Sequence, residues 1–253
     1  MAEQRALRAY IEGALVVCGR ELEAYFDSPI AYICAIAFLV LSGTTFMNSF
    51  FLEGVVDMSP YFAVLPFLLI PFIPALAMRT WAEERAQHTF ELLMTLPLRS
   101  SQLVLGKYLA ALGFYLVVLA GSLPIAAMLC WLGDPDLGLI LANYLGAAAL
   151  GAFFLSFGVF VSCLTRNQVV AFVLAALIGF FFVFSGYEQV VEVLDGLSPA
   201  WQVGTWLYES VSVMPHYQAF GRGVVALADV FYFLLMSGFF LWANNLVLSR
   251  SKL

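Results

Sequence analysis

"RTWAEERAQHTFELLMTLPLRS", residues 79–100, holds seven ionisable side chains (Arg79, Glu83, Glu84, Arg85, His88, Glu91, Arg99) in a chain of 253 residues that is only 11% charged. On either side the charge stops: residues 58–78 and 108–133 carry none. Working outward, further charge-free windows lie at 28–52, 137–165, 167–187 and 230–249. A helix of about 20 residues, rising about 1.5 Å per residue, crosses the roughly 30 Å core of a bilayer. Backbone amides in lipid must find partners within their own segment, so the windows predict six transmembrane helices. Composition agrees, with 63% of residues hydrophobic and 16% aromatic. A soluble fold cannot hide that much apolar side chain. The expected class is an all-α polytopic membrane protein, one domain over 1–253, with the cassette in a polar region at 79–107.

Charge sets the orientation. With the N-terminus in the cytoplasm, Arg5, Arg8, Arg20, Arg79, Arg85, Arg99, Lys107, Arg166, Arg250 and Lys252 all fall inside, and only Arg222 falls outside. The positive-inside rule then predicts cytoplasmic termini. Acidic residues split eight inside and nine outside, so the net charge of −6 comes from the outer loops and says nothing about the cytoplasmic face. No nucleic-acid partner is expected. The first apolar run is longer than a signal-peptide core, and the first span is expected to act as its own insertion signal. Cys18, Cys34, Cys130 and Cys163 are far apart, without a CxxC pair, and read as packing residues rather than a disulfide or metal framework.

Residues 1–27 carry apolar side chains at Leu7, Tyr10, Ile11, Ala14, Leu15, Cys18, Leu22 and Tyr25, the spacing of one helix face. This predicts an amphipathic helix on the inner interface. "DSP", Asp27 to Pro29, supplies a cap and a first-turn proline for the first span. In the second span "LPFLLIPFIPALAM" places Pro66, Pro71 and Pro74, each removing an amide donor; these are hinge candidates or simply the marks of a bent helix. Gly146, Gly151 and Gly158 in the fourth span allow close helix approach, within the chain or at a dimer seam. The outer segment 188–229 contains "GLSPAWQVGTWLY" and "SVSVMPHYQAFG", too short to cross and rich in interfacial aromatics: Trp201, Trp206, Tyr208 and Tyr217. Two short re-entrant helices are expected there.

The cassette itself reads as a helix. Thr80-Trp81-Ala82-Glu83 fits a capping box, so the helix is expected to begin at Thr80 and to stop before Pro97. Ala82, Ala86, Phe90 and Leu93 would share one face, and Glu84, His88 and Glu91 another. Catalysis finds no support. His88 and His216 lie on opposite sides of the membrane, no H-E-x-x-H occurs, and "LGKY" at 105–108 lacks the glycine and Ser/Thr of a phosphate loop. The plainer reading of the cassette is a solvated helix face.

The blocks "RELEAYFDSPIAYI" (20–33), "MRTWAEERAQHTFELLMTLPLRSSQLVLGKYLA" (78–110), "SCLTRNQVVAF" (162–172) and "HYQAFGRGVVALADVFYF" (216–233) resemble, in this order, permeases of the type-2 ABC exporter family, most closely its gliding-motility-associated subgroup. The resemblance implies an interfacial N-terminal helix, six spans, a cytoplasmic coupling helix between spans two and three, and short re-entrant helices before span six. It carries Trp81, Glu83, Glu84, Arg85, Thr89 and Glu91 over as contacts to a separate ABC ATPase subunit, with the turn Thr165, Arg166, Asn167 and Gln168 nearby. It implies a non-catalytic permease that binds no cofactor itself, ATP and Mg being held by the ATPase, and that works with a second permease copy in a bacterial inner membrane. Membrane lipid and a periplasmic or envelope accessory protein complete the expected partners. The favoured function is export of an unidentified, lipid-like cargo; the alternative is a mechanotransmitter that drives an envelope partner and moves nothing across.

Overall fold

The computed structural model describes residues 2–54, 56–95, 98–197 and 201–251, and among these all regular structure is helical. In chain order the helices are α1 (Ala2–Phe26), α2 (Pro29–Glu53), α3 (Ser59–Ala77), α4 (Arg79–Ala86), α5 (Thr89–Thr95), α6 (Ser100–Ala120), α7 (Leu123–Leu132), α8 (Leu137–Leu164), α9 (Gln168–Phe184), α10 (Glu188–Leu197), α11 (Val203–Ser210), α12 (Met214–Gly221) and α13 (Leu227–Ser251). Five stretches are long and apolar enough to cross a membrane: Pro29–Leu52, Ser59–Ala86, Ser100–Leu132, Leu137–Leu164 and Leu227–Arg250. A sixth appears when Gln168–Phe184 and Glu188–Leu197, bent by 86° at the break between them, are taken as one broken span.

Local chemistry places most of the ends. Ser28 caps α2 and accepts from the Ala31 amide, with Pro29 in the first turn, as "DSP" leads one to expect. Asp136 and Asn167 cap α8 and α9 in the same way. α2 ends on Gly54 at φ 66°, a left-handed position that glycine takes without strain. α3 runs unbroken through Pro66, Pro71 and Pro74. Proline at 66 deprives the Phe62 carbonyl of its helical donor, and the Tyr217 hydroxyl of α12 donates to that carbonyl instead, at 2.8 Å.

α8 is the hub. It packs on α3, α4, α6, α9, α12 and α13. Its glycines make internal contacts: a methyl at Gly146 would come within 2.7 Å of Phe220, at Gly151 it would strike the Tyr115 ring, and at Gly158 it would lie 2.7 Å from the Ala77 side chain. Facing outward are apolar rows such as Ile33, Ile36 and Val40 on α2, and Phe231, Leu234, Leu235 and Trp242 on α13. Exposed apolar surface on this scale is what a bilayer covers.

Several expectations change. The third span begins at Ser100, not at 108, because Lys107 is buried within α6 and paired. That span breaks at Gly121 and Ser122 before Pro124. The fifth window ends as helix at Phe184 and turns sharply into α10. Among the described residues, segment 188–229 holds short helices in both expected stretches, α11 and α12, and a further one, α10, before them. Tyr217 is buried in the core, not at an interface, because Pro66 leaves a carbonyl for it; Trp201 and Trp206 are exposed. On α1 the buried row is Ala14, Val17 and Tyr25, whereas Ile11 and Leu15 point outward. The α1 face is set by its seat on α6, where the Gln102 amide donates to the Tyr10 carbonyl at 3.0 Å.

Candidate functional site

The cassette does not form the single capped helix its sequence suggests. The helix starts at Arg79 directly after the Met78 turn, so α4 extends α3 and Thr80 is its buried second residue. No side chain of α4 caps it. Ser162 does so from α8: its Oγ accepts from the Trp81 amide (3.0 Å) and the Ala82 amide (3.1 Å) and donates to the Met78 carbonyl (2.9 Å). Glu83, the expected capping-box partner, is bound to Arg79 Nε at 2.8 Å. Arg79 also reaches the Ser28 hydroxyl at the α2 cap.

After Ala86 the chain reverses at Gln87 and His88. His88 takes φ 59°, a left-handed value that non-glycine residues adopt seldom and histidine more readily than most. α5 then folds back. Phe90 meets the Trp81 ring edge-on at 6.1 Å and lies under the Arg85 guanidinium at 4.6 Å. Leu93 is buried, while Thr89, Glu91 and Leu92 are exposed, Leu92 by 70%. Of the expected common apolar face, Ala82 and Leu93 are buried but Ala86 is exposed, because the break at His88 turns α5 onto a new axis.

Beneath this surface lies a knot of charge. Lys107 Nζ is 2.8 Å from Glu84 Oε1 and 2.9 Å from Glu21 Oε1, with the Trp81 ring at 5.0 Å. Arg20 joins Glu84 at 3.6 Å. One lysine, 1% exposed, thus ties α1, α4 and α6 together. Burial pushes the Glu21 carboxyl up, but Lys107 and Arg20 outweigh it and hold the group below its ordinary value. Trp81 Nε1, Glu84 Oε2 and Arg85 Nε are buried without a hydrogen-bond partner among the described residues.

The structure divides the residues expected to contact a partner. Trp81 is fully buried and has no surface to offer. Glu84 is committed to Lys107, and Arg85 leans on Phe90 with its Nη2 3.9 Å from Cys163 Sγ. Thr89 and Glu91 are exposed, and Glu83 is half-buried. The turn Thr165–Gln168 follows α8 directly, with Arg166 and Asn167 exposed, and α4 also packs against α9. Pro66 and Pro74 are buried and Pro71 is exposed, all inside α3. Sequence reasoning missed Gln102, Lys107 and Ser162. The signal was present for Lys107, as a lone cation in an otherwise apolar helix.

Among the described residues no group of three or more His, Cys, Asp or Glu side chains is arranged to hold a metal ion. A search of curated proteins returned no match. The family model described as ABC-2 family transporter protein matches residues 15–241, from the middle of α1 to the middle of α13. That match covers most of the 253 residues and every element of the knot, and the chain belongs to the ABC-2 transporter family.

Proposed function

We propose that α5 and the neighbouring turn Thr165–Gln168 are the docking surface for a separate ATPase subunit, which holds ATP and Mg, and that this chain is the exporter's permease. The family supports the coarse part: a transmembrane, non-catalytic subunit of an ABC transporter. The observation that carries the finer part is the knot around Lys107. A push on α5 reaches α4 through Phe90 and Trp81, and α4 is continuous with α3. From α4 it reaches α8 through Ser162, and α1 and α6 through Glu84, Lys107 and Glu21. Rigid, packed elements transmit displacement, because well-packed interiors are barely compressible. Two permease copies with two ATPases, in a bacterial inner membrane with both termini cytoplasmic, would convert ATP-driven closure into extrusion of a lipid-like cargo.

Two classes of variant separate docking from transmission in a complex purified with its ATPase. Glu91→Ala with Leu92→Ala alters only exposed side chains and is expected to weaken co-purification of the ATPase. Ser162→Ala lies behind the surface. It is expected to leave co-purification intact while uncoupling the ATPase rate from the membrane part. Retention of full binding and coupling by both variants would remove the cassette from the mechanism.

A second reading has its own observation. α10 and α11 pack chiefly on each other, joined by Asp195, which accepts from the Gly204 amide at 2.7 Å and from the Thr205 hydroxyl at 2.6 Å. Trp201 and Trp206 are exposed on this hairpin. An envelope partner seated there would make the chain a mechanotransmitter. Loss of a co-purifying envelope protein in a Trp201→Ser/Trp206→Ser variant, with no cargo transported by the wild type, would favour that reading.

A further inference from the structure

Arg222 is the one basic residue remote from the cassette end and the termini. It follows α12 and lines a cavity of about 470 Å³ whose other walls are Ser59, Phe62 and Ala63 of α3, Asn143 of α8, Tyr187 at the α9–α10 bend, and residues of α12. α3 begins at this cavity and meets the cassette 19 residues later, about 28 Å away at helical rise. The cavity is therefore at the opposite end of the molecule from the charge knot.

Its lining has two characters. Phe62, Met214 and Tyr217 form a buried apolar wall, and the Tyr217 hydroxyl is already spent on the Phe62 carbonyl. The polar groups are few and come from different elements. Asn143 is 2% exposed; its Nδ2 donates to the Leu139 carbonyl at 2.9 Å. Its Oδ1 faces Gly221, 3.9 Å from where a methyl on that glycine would sit. Arg222 is exposed and makes no ion pair among the described residues. The carboxylate two positions before Ser59, Asp57, is occupied by the Ser59 amide and hydroxyl, both at 2.9 Å. A position after a helix C-terminus suits an arginine on its own, but that preference does not explain a cavity walled by a buried asparagine.

We propose that this cavity binds the head of an anionic phospholipid with a hydroxylated headgroup. Arg222 supplies the planar donor fork that matches a phosphodiester. Asn143 Oδ1 accepts from a headgroup hydroxyl, Gln218 donates to an ester oxygen, and the first carbons of the acyl chains lie on Phe62 and Met214. The volume falls in the usual range for ligand sites, roughly 300–1,000 Å³, and a mostly apolar lining with a few convergent polar groups is the usual composition. A lone cation suits a singly charged phosphodiester. A soluble phosphate ester would leave the apolar wall unused. The site stands whether or not the cassette docks an ATPase.

The test is native mass spectrometry of the full chain in detergent with three probes: dioleoylphosphatidylglycerol, dioleoylglycerol with the same tails and no phosphate, and glycerol 3-phosphate with no tails. Wild type is expected to hold one phosphatidylglycerol per chain, at least tenfold more tightly than dioleoylglycerol, with no competition from glycerol 3-phosphate. Arg222→Gln is expected to lower the affinity at least tenfold, and Gly221→Leu, which fills the cavity from an exposed position, to abolish it. Equal binding by Arg222→Gln, or equal binding of dioleoylglycerol, overturns the site. Competition by glycerol 3-phosphate overturns the lipid and leaves a soluble phosphate ester. If Gly221→Leu fails to fold, the exposed Arg222→Gln decides alone.

Discussion

A lysine inside an apolar helix is tolerable only when its charge is matched, and Lys107 is matched twice, by Glu21 and Glu84. Removing one member of such a group leaves the others buried and uncompensated, a loss of about 3 kcal/mol or more. Lys107→Met is therefore expected to lower the unfolding temperature in detergent sharply. Neutralising the set together, as Lys107→Met/Glu21→Gln/Glu84→Gln, should recover part of that loss. A single variant as stable as wild type would mean the pairs contribute nothing. The same cluster sets a pH dependence. Glu21 is held below its ordinary value of 4.5, so it binds its proton less readily folded than unfolded. Its stabilisation is complete above that value and is lost as pH falls through the lower folded value. Thermal stability is expected to be flat from neutral pH to about 5 and to fall below about 4.5, with the Glu21→Gln chain missing that part of the fall. A wild-type decline centred at or above pH 6 would assign the effect to another group.

Within one element, the prolines of α3 show how a local rule is offset from a distance. Pro66 withholds the amide that the Phe62 carbonyl needs, and Tyr217, 155 residues along the chain, supplies a hydroxyl. Tyr217→Phe should then cost about 1–3 kcal/mol by leaving a buried carbonyl unmet. In a Pro66→Ala background the new amide meets that carbonyl, and the same tyrosine change should cost clearly less. A double-mutant cycle of unfolding free energies measures the difference, and strict additivity of the two changes would disprove the exchange. The contrast explains what the sequence disclosed. The cap at Ser28 was legible because cap and helix are adjacent, and the spans were legible because length and apolarity are local properties. The cap on α4 was not: Ser162 lies 81 residues from Trp81, and nothing near Thr80 marks a helix running straight on from α3. Gln102 reads as a surface residue until α1, 92 residues earlier, is laid against it. The polar groups of the knot were visible as a cluster, but their division into buried ties and exposed surface depends on contacts between distant segments.

At the scale of the whole molecule, α8 organises the bundle by letting three neighbours come close at three heights, Phe220 at Gly146, Tyr115 at Gly151 and Ala77 at Gly158. Ala77 lies at the cassette end of α3 and Phe220 beside the Arg222 cavity, so the two ends of the molecule are set by one helix. The bundle itself is indifferent to which end faces the cytoplasm; charge decides. Arg20, Arg79, Arg85, Lys107 and Arg166 sit around the cassette end, while the 133–136 loop and α10 carry Asp134, Asp136, Glu188, Glu192 and Asp195. Moving a lysine- or arginine-rich segment across a membrane is disfavoured and acidic residues matter little, so the cassette should face the cytoplasm. Single cysteines in a cysteine-free chain test this, since His88, Asp134 and Glu188 are all exposed. In intact spheroplasts a membrane-impermeant maleimide is expected to label Asp134→Cys and Glu188→Cys, and to reach His88→Cys only after permeabilisation. Labelling of His88→Cys from outside would invert the molecule and put the cassette beyond the reach of any cytoplasmic ATPase. Labelling of Asp134→Cys but not Glu188→Cys would contradict the fold, in which Tyr187, next to Glu188, lines the same cavity as Ser59 and Asn143 at the end away from the cassette.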